Sequence, residues 1–213
     1  MDADPAAAAP WIAAAHPEHP SLIDTRHKVS ELFGMVNVPT GVWIDEQGQI
    51  VRPSEVAYCT DTFRKLTGVD SAGYVRAIRD WVENGASSRY AMTEDEVLRR
   101  ERPANADQAL ALANFRLGEY LWQQGEHDDA ITYFKESQRL EPESWNYRRQ
   151  AFALAGEQPF GTTFVDEVKK LAGKPYYAPL DLEAIGDEQR HAAATQGEVL
   201  DRIIRPRPAD GQN

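Results

Sequence analysis

The sequence predicts an α/β unit followed by an all-α unit, with the change near residues 86–92. Three observations predict it. Runs of β-forming residues separated by turn signals are confined to residues 21–52. From residue 93 onward apolar residues recur three and four apart, the spacing of one helix face. The chain has 213 residues, enough for two small units.

Residues 5–15 read as a short Ala-rich helix with Trp11 and Ile12 as its apolar contacts. "SLID" (21–24) is a short strand leaving a proline-punctuated stretch. "RHKVSELFG" (26–34) puts Val29, Leu32 and Phe33 at helical spacing, and Gly34 stands where a helix C-cap belongs. "VPTGVWID" (38–45) and "GQIVR" (48–52) are strands, and "DEQG" between them makes an antiparallel hairpin. "SAGYVRAIRDWVENG" (71–85) is a helix with Tyr74, Ile78, Trp81 and Val82 on one face and Gly85 at its end.

Beyond the change, "TEDEVLRRE" (93–101) is helical, and residues 109–145 form two amphipathic helices broken at Gly125. Helices follow at 144–156 and 163–173. "KPYYAPLDL" (174–182) reads as an extended arm that docks on the helices through Tyr176 and Tyr177. Residues 186–213, ending "RPRPADGQN", are expected to be a disordered tail.

Composition narrows the function classes. The formal net charge is −11, and no basic stripe interrupts the acidity, so nucleic acid is excluded as an expected partner. The single cysteine, Cys59, allows no intramolecular disulfide, and zinc spacings are missing. His16 and His19 have no carboxylate or cysteine at ligand spacing, so no metal and no other cofactor is expected. The Ala-rich start has no Lys or Arg ahead of it and is punctuated by Pro5 and Pro10. It makes a poor signal peptide and is not expected to span a membrane, and a cytoplasmic protein is expected.

Two resemblances add to this reading. Leu117-Gly118, Gly125, Ala130, Phe134 and Pro142 stand at the offsets of a tetratricopeptide repeat, with Asn114 where Trp is commonest and Leu121 where Tyr is commonest. Small residues at 118 and 130 let two helices approach, Phe134 fills the gap, and Pro142 ends the second helix. The segment resembles one tetratricopeptide unit; a generic helical hairpin would carry a similar pattern. One repeat cannot bury both faces, so the neighbouring helices must stack on it. In "WNYRRQ" (145–150), packing by Trp145 and Tyr147 beside snorkelling Arg148 and Arg149 explains the composition as well as a binding site does.

Residues 20–85, about a third of the chain, resemble the C-terminal portion of a thioredoxin-like domain of the ResA-like or TlpA-like disulfide reductases. Leu32-Phe33-Gly34, Val38-Pro39-Thr40, Ile44-Asp45 and Gly48-Gln49-Ile50 carry the resemblance, in order and spacing. It implies that Pro39 is cis, exposing the Val38 backbone to pair with an extended polypeptide. A trans proline at a strand entry is the alternative. The dithiol helix and central strand that the resemblance implies would lie before Met1, with residues 5–15 as that helix's tail. Cys59, in a loop with no partner thiol, cannot substitute.

The remaining sheet pieces would have unpaired edges that invite self-association. Three explanations stay open: a start assigned downstream of the active-site segment, for instance through a selenocysteine codon read as a stop; a redox-silent domain that closes its sheet differently; or a strand supplied by a second chain. The first is preferred. The expected function of the chain itself is a protein-binding or scaffold role, using the Val38-Pro39-Thr40 loop and the helical surface, with no catalytic residue. The alternative is a thiol–disulfide or peroxide-handling oxidoreductase whose nucleophile lies upstream of Met1. A membrane partner is not expected.

Overall fold

The computed structural model describes residues 5–101, 105–158, 160–182 and 185–204. The chain is mostly helical, with a small antiparallel sheet near its start, so α/β gives way to all-α as expected. Helix α1 spans Pro5–Ala15, α2 Lys28–Leu32, α3 Arg64–Thr67, α4 Ser71–Asn84 and α5 Glu94–Arg100. Then follow α6 (Ala106–Gln123), α7 (His127–Leu140), α8 (Trp145–Leu154), α9 (Thr162–Lys169), α10 (Ile185–Ala193) and α11 (Gln196–Ile204).

Strands β1 (Thr40–Ile44) and β2 (Ile50–Val56) form the hairpin, in the register Thr40↔Val56, Gly41↔Glu55, Trp43↔Arg52 and Ile44↔Ile50. Irregularities flank Trp43. The turn is set by Asp45, whose Oδ1 accepts from the amides of Gln47 (3.0 Å) and Gln49 (2.8 Å), with Gly48 at φ +80°. Trp43 lies against Trp81 (5.2 Å between ring centres) and donates from Nε1 to the Tyr74 hydroxyl at 3.1 Å. A Cβ at Gly41 would come within 2.9 Å of that hydroxyl oxygen, which is why the strand carries glycine there.

The strand expected over 21–24 does not form; the described sheet has two strands only. No third strand lies beside this stretch to complete a ladder, and Asp24 serves instead as an anchor for α2. Its carboxylate accepts from the amides of Lys28 (2.8 Å), Val29 (2.7 Å) and Ser30 (3.2 Å), three donors that a helix start leaves open. Helix α1 buries none of its residues, and Trp11, expected as an apolar contact, is 79% exposed. The apolar face of α4 is real for Tyr74, Ile78 and Trp81, but Val82 points to solvent. Asp70 caps that helix by accepting from Ala72 N at 2.8 Å, and a Thr93–Glu96 capping box starts α5.

The boundary at 86–92 separates two patterns of secondary structure but not two cores. The principal core joins Trp43, Val56, Tyr58, Leu66 and Tyr74 from the first half to Trp145, Phe164, Tyr176, Tyr177 and Leu200 from the second. The linker itself is clamped to β2, with Met92 N donating to Val51 O at 2.9 Å and Arg52 Nη1 to Tyr90 O at 3.0 Å. A second, smaller core, Phe115, Ala130, Phe134 and Ala151, sits within α6, α7 and α8.

The tail expected over 186–213 is helical through α10 and α11 as far as residue 204; "RPRPADGQN" (205–213) lies outside the described residues. Leu200 and Ile204, four apart, place one face of α11 on the principal core. Two buried glutamines tie the segment down. Gln189 accepts from Leu180 N at 2.7 Å and donates to the Tyr58 hydroxyl at 2.8 Å, while Gln196 accepts from Tyr176 N at 3.0 Å. The polar composition of the segment hid an apolar stripe only two residues wide.

Candidate functional site

The Val38-Pro39-Thr40 loop lies where α2, β1, α8 and the 174–182 arm meet. After Gly34 the chain runs along the start of α8, where Val36 O accepts from Trp145 N (2.8 Å) and Asn146 N (3.1 Å). The next residue, Asn37, is buried. Its Oδ1 accepts from Val38 N at 2.9 Å, Arg149 Nη2 at 2.8 Å and the Tyr176 hydroxyl at 3.1 Å. The Val38–Pro39 peptide is cis. Pro39 O accepts from Ala57 N at 3.1 Å, which joins the loop to the end of β2.

The arm covers this loop. Tyr176 and Tyr177 are both buried, with ring centres 4.6 Å apart, and Tyr176 lies 4.6 Å from Trp145. The Tyr177 hydroxyl donates to Val38 O at 3.0 Å. Both polar backbone groups of Val38 are therefore met within the chain, the amide by Asn37 and the carbonyl by Tyr177. Burial raises the Tyr177 hydroxyl to about 12 and drives Tyr176 up as well, so both remain neutral donors near neutral pH. The backbone that the thioredoxin-like resemblance would offer to a polypeptide carries the chain's own arm instead.

The helical residues come together as a unit. Ala130 and Phe134 are buried, and a Cβ at Gly118 would lie 2.6 and 2.7 Å from Phe134 Cε1 and Cδ1. Gly125 takes φ +85° at the break between α6 and α7, and Pro142 follows the end of α7. Phe134 packs beside Phe115 (5.5 Å), and Phe115 stacks on Tyr147 of α8 (4.6 Å). In "WNYRRQ" the packing explanation is the one observed. Arg148 lies over Trp145 at 4.9 Å, and Arg149 is buried on Asn37 and on Asn146 Oδ1 at 3.3 Å.

Leu117, read as framework, is exposed, and so are Leu110, Ala113 and Tyr120. At about 100° per residue these four span about 80° of the α6 circumference and about 15 Å of its length. Two other faces of α6 are occupied. Ala111, Phe115 and Gly118 face α7 and the small core. Arg116 donates from Nε to Glu31 at 2.7 Å and from Nη2 to Arg26 O at 2.9 Å, while Glu119 lies 3.6 Å from His27 Nε2. The apolar stripe is the face left to solvent.

Chemically reactive groups are sparse. Cys59 is exposed, and desolvation by its surroundings pushes its thiol up, away from the reactive thiolate. Among the described residues no group of three or more His, Cys, Asp or Glu side chains is placed to hold a metal ion, and no helix is long and apolar enough to cross a membrane. Sequence reasoning missed Asn37, the hub of the loop. The available signal was a lone amide side chain between apolar Val36 and Val38, directly ahead of the proline. No protein-family model, no curated protein and no solved structure matches the chain.

Proposed function

We propose that this chain is a protein-binding module whose contact surface is the outer face of α6. One observation carries the reading: Leu110, Ala113, Leu117 and Tyr120 form a contiguous exposed stripe on a helix whose other faces are packed. Aligned apolar and aromatic side chains on a rigid helix are the usual anchors of a protein interface. The net charge of −11 favours a partner segment whose apolar side chains are framed by Lys and Arg. The likeness of α6 and α7 to a tetratricopeptide unit agrees with this role by analogy of fold only.

A part for the proline loop in binding would require the 174–182 arm to leave Val38, so the loop is secondary in this reading. The raised thiol of Cys59 gives no support to thiol chemistry by the chain itself.

The test begins with a photo-crosslinking amino acid at position 120 in the native host. The captured partner is then purified and its affinity measured directly. Leu117→Glu and Tyr120→Ala should each weaken binding by roughly tenfold or more while leaving the unfolding midpoint unchanged. Affinity that is indifferent to both substitutions would refute the role of this face.

A further inference from the structure

Among the described residues, one edge of the hairpin has no partner. Asp45 N donates to Gln49 O at 3.0 Å beyond one end of β1, and Pro39 O accepts from Ala57 N at 3.1 Å beyond the other, so odd-numbered residues turn their backbone groups toward β2. The register Gly41↔Glu55, Trp43↔Arg52 and Ile44↔Ile50 places the extra residues in β2, and β1 keeps its alternation. The amides and carbonyls of Thr40, Val42 and Ile44 therefore point away from β2, where no third strand meets them. The outer edge of β2 differs, because the linker covers it: Met92 N donates to Val51 O at 2.9 Å, and Tyr90 O accepts from Arg52 Nη1 at 3.0 Å.

The strand does nothing to guard this edge. Free edges are ordinarily protected by a charge, a proline or a bulge within the strand. β1 reads Thr-Gly-Val-Trp-Ile, with no proline and with its alternation intact. In a chain of 34 acidic and 23 basic residues, 36–44 carry no charged side chain. The next charges, Asp45 and Glu46, belong to the turn. On the face opposite Trp43, Ile44 is exposed and Thr40 and Val42 are half-buried.

We propose that a second copy of this chain pairs with this edge, β1 against β1, antiparallel about a two-fold axis at Val42. In that register Val42 exchanges both backbone bonds with Val42 of the second copy, and Thr40 with Ile44, so every outward group is used, about six bonds in all. The facing side chains are β-branched throughout. Asp45 stands opposite Pro39 of the second copy, and the two Asp45 residues lie about 20 Å apart, beyond the screening length at physiological salt, so the acids at the strand ends do not oppose pairing. Among the described residues β1 is itself the uncharged, free strand that such an edge requires, and it meets its own copy without mismatch. The product is a four-stranded sheet, β2-β1-β1-β2, with both outer edges covered by the linkers, so association stops at two copies. Five residues of strand bury less surface than a standard interface, so the dimer forms in the micromolar range or above.

The experiment is sedimentation equilibrium of the whole chain from low micromolar to millimolar concentration, with amide hydrogen exchange measured at both ends of the range. The average mass should rise from one chain toward two and stop there, and the Val42 and Ile44 amides should exchange more slowly in the concentrated sample. Val42→Lys sets two cations against each other at the axis, and Val42→Pro removes an amide that β2 does not use. Each should weaken pairing roughly tenfold or more while the far-UV circular dichroism stays that of the wild type. Where proline disturbs the hairpin, Val42→Lys decides. Leu117→Glu should leave the dimer intact, which separates this edge from self-association through the α6 stripe. A single chain at every concentration would overturn the assignment and leave the edge to a strand of another protein. Growth past two chains, unchanged exchange at Val42 and Ile44, a dimer indifferent to Val42→Lys, or one lost with Leu117→Glu would overturn it as well.

Discussion

Gly118→Ala tests whether α6 and α7 touch as closely as their contact geometry requires. In the middle of an exposed helix, replacing glycine by alanine stabilises by about 1 kcal/mol, because alanine restricts the unfolded chain and suits the helix. At position 118 the added methyl would lie 2.6 and 2.7 Å from Phe134 Cε1 and Cδ1, and 3.2 Å from Ala130 O. Phe134 has little room to retreat, since Phe115 and Trp122 stand 5.5 and 6.4 Å from its ring centre. Forcing a methyl group into such a core costs about 1–3 kcal/mol, so the net expectation is a destabilisation of about 1 kcal/mol. Urea unfolding followed by far-UV circular dichroism measures it. The decisive control is the same substitution beside Phe134→Val, where the clashing ring atoms are gone and Gly118→Ala should turn neutral or stabilising. If Gly118→Ala stabilises in the wild-type background, the close approach of the two helices is refuted.

Three further outcomes are expected. Asn37→Leu removes the acceptor shared by Val38 N, Arg149 and Tyr176, leaving the buried Arg149 with Asn146 Oδ1 and Trp145 O, so it should destabilise by about 3 kcal/mol, whereas Tyr177→Phe should cost about 1 kcal/mol. Denaturant midpoints of the two variants give the comparison, and equal values would contradict the hub role of Asn37.

Burial holds the His27 imidazole below its ordinary 6.5, amid Asp24, Glu31, Arg116 and Glu119. The unfolded chain then takes up the proton first, so the stability from this group is present above pH 6.5 and is lost as pH falls through the lower folded value. Burial raises Glu119 above 4.5, so its contribution has the opposite sign, present below 4.5 and lost as pH rises. His27→Gln should flatten the fall in midpoint just below pH 6.5, and an unchanged slope would remove His27 as its cause. Finally, Cys59 should alkylate no faster at neutral pH than a free cysteine, and the chain should not reduce insulin disulfides; turnover that survives Cys59→Ser would defeat the second expectation.

Local chemistry made much of the fold legible. Asp45 and Gly48 specify the turn of the hairpin, Thr93 and Glu96 the start of α5, Gly85 and Gly125 the breaks after α4 and α6, and the Gly118–Ala130–Phe134 set the close helix pair. Each depends on neighbours a few residues apart in sequence, or on a single pair of adjacent helices. The strand propensity of "SLID" has no effect without a partner strand, and the face that α11 buries, Leu200 and Ile204, is too narrow to stand out in a polar segment.

The sequence by itself determined the hairpin, most of the helices and the net acidity of the chain. Only the tertiary structure decided what covers the proline loop and which edge of the hairpin the linker takes. Asn37 and Tyr176 are 139 positions apart, and Arg52 and Tyr90 are 38 apart. Periodicity and capping act over one or two turns of chain, so they are silent about such pairings. Those pairings follow from burying Trp43, Trp145 and the two tyrosines in one common core.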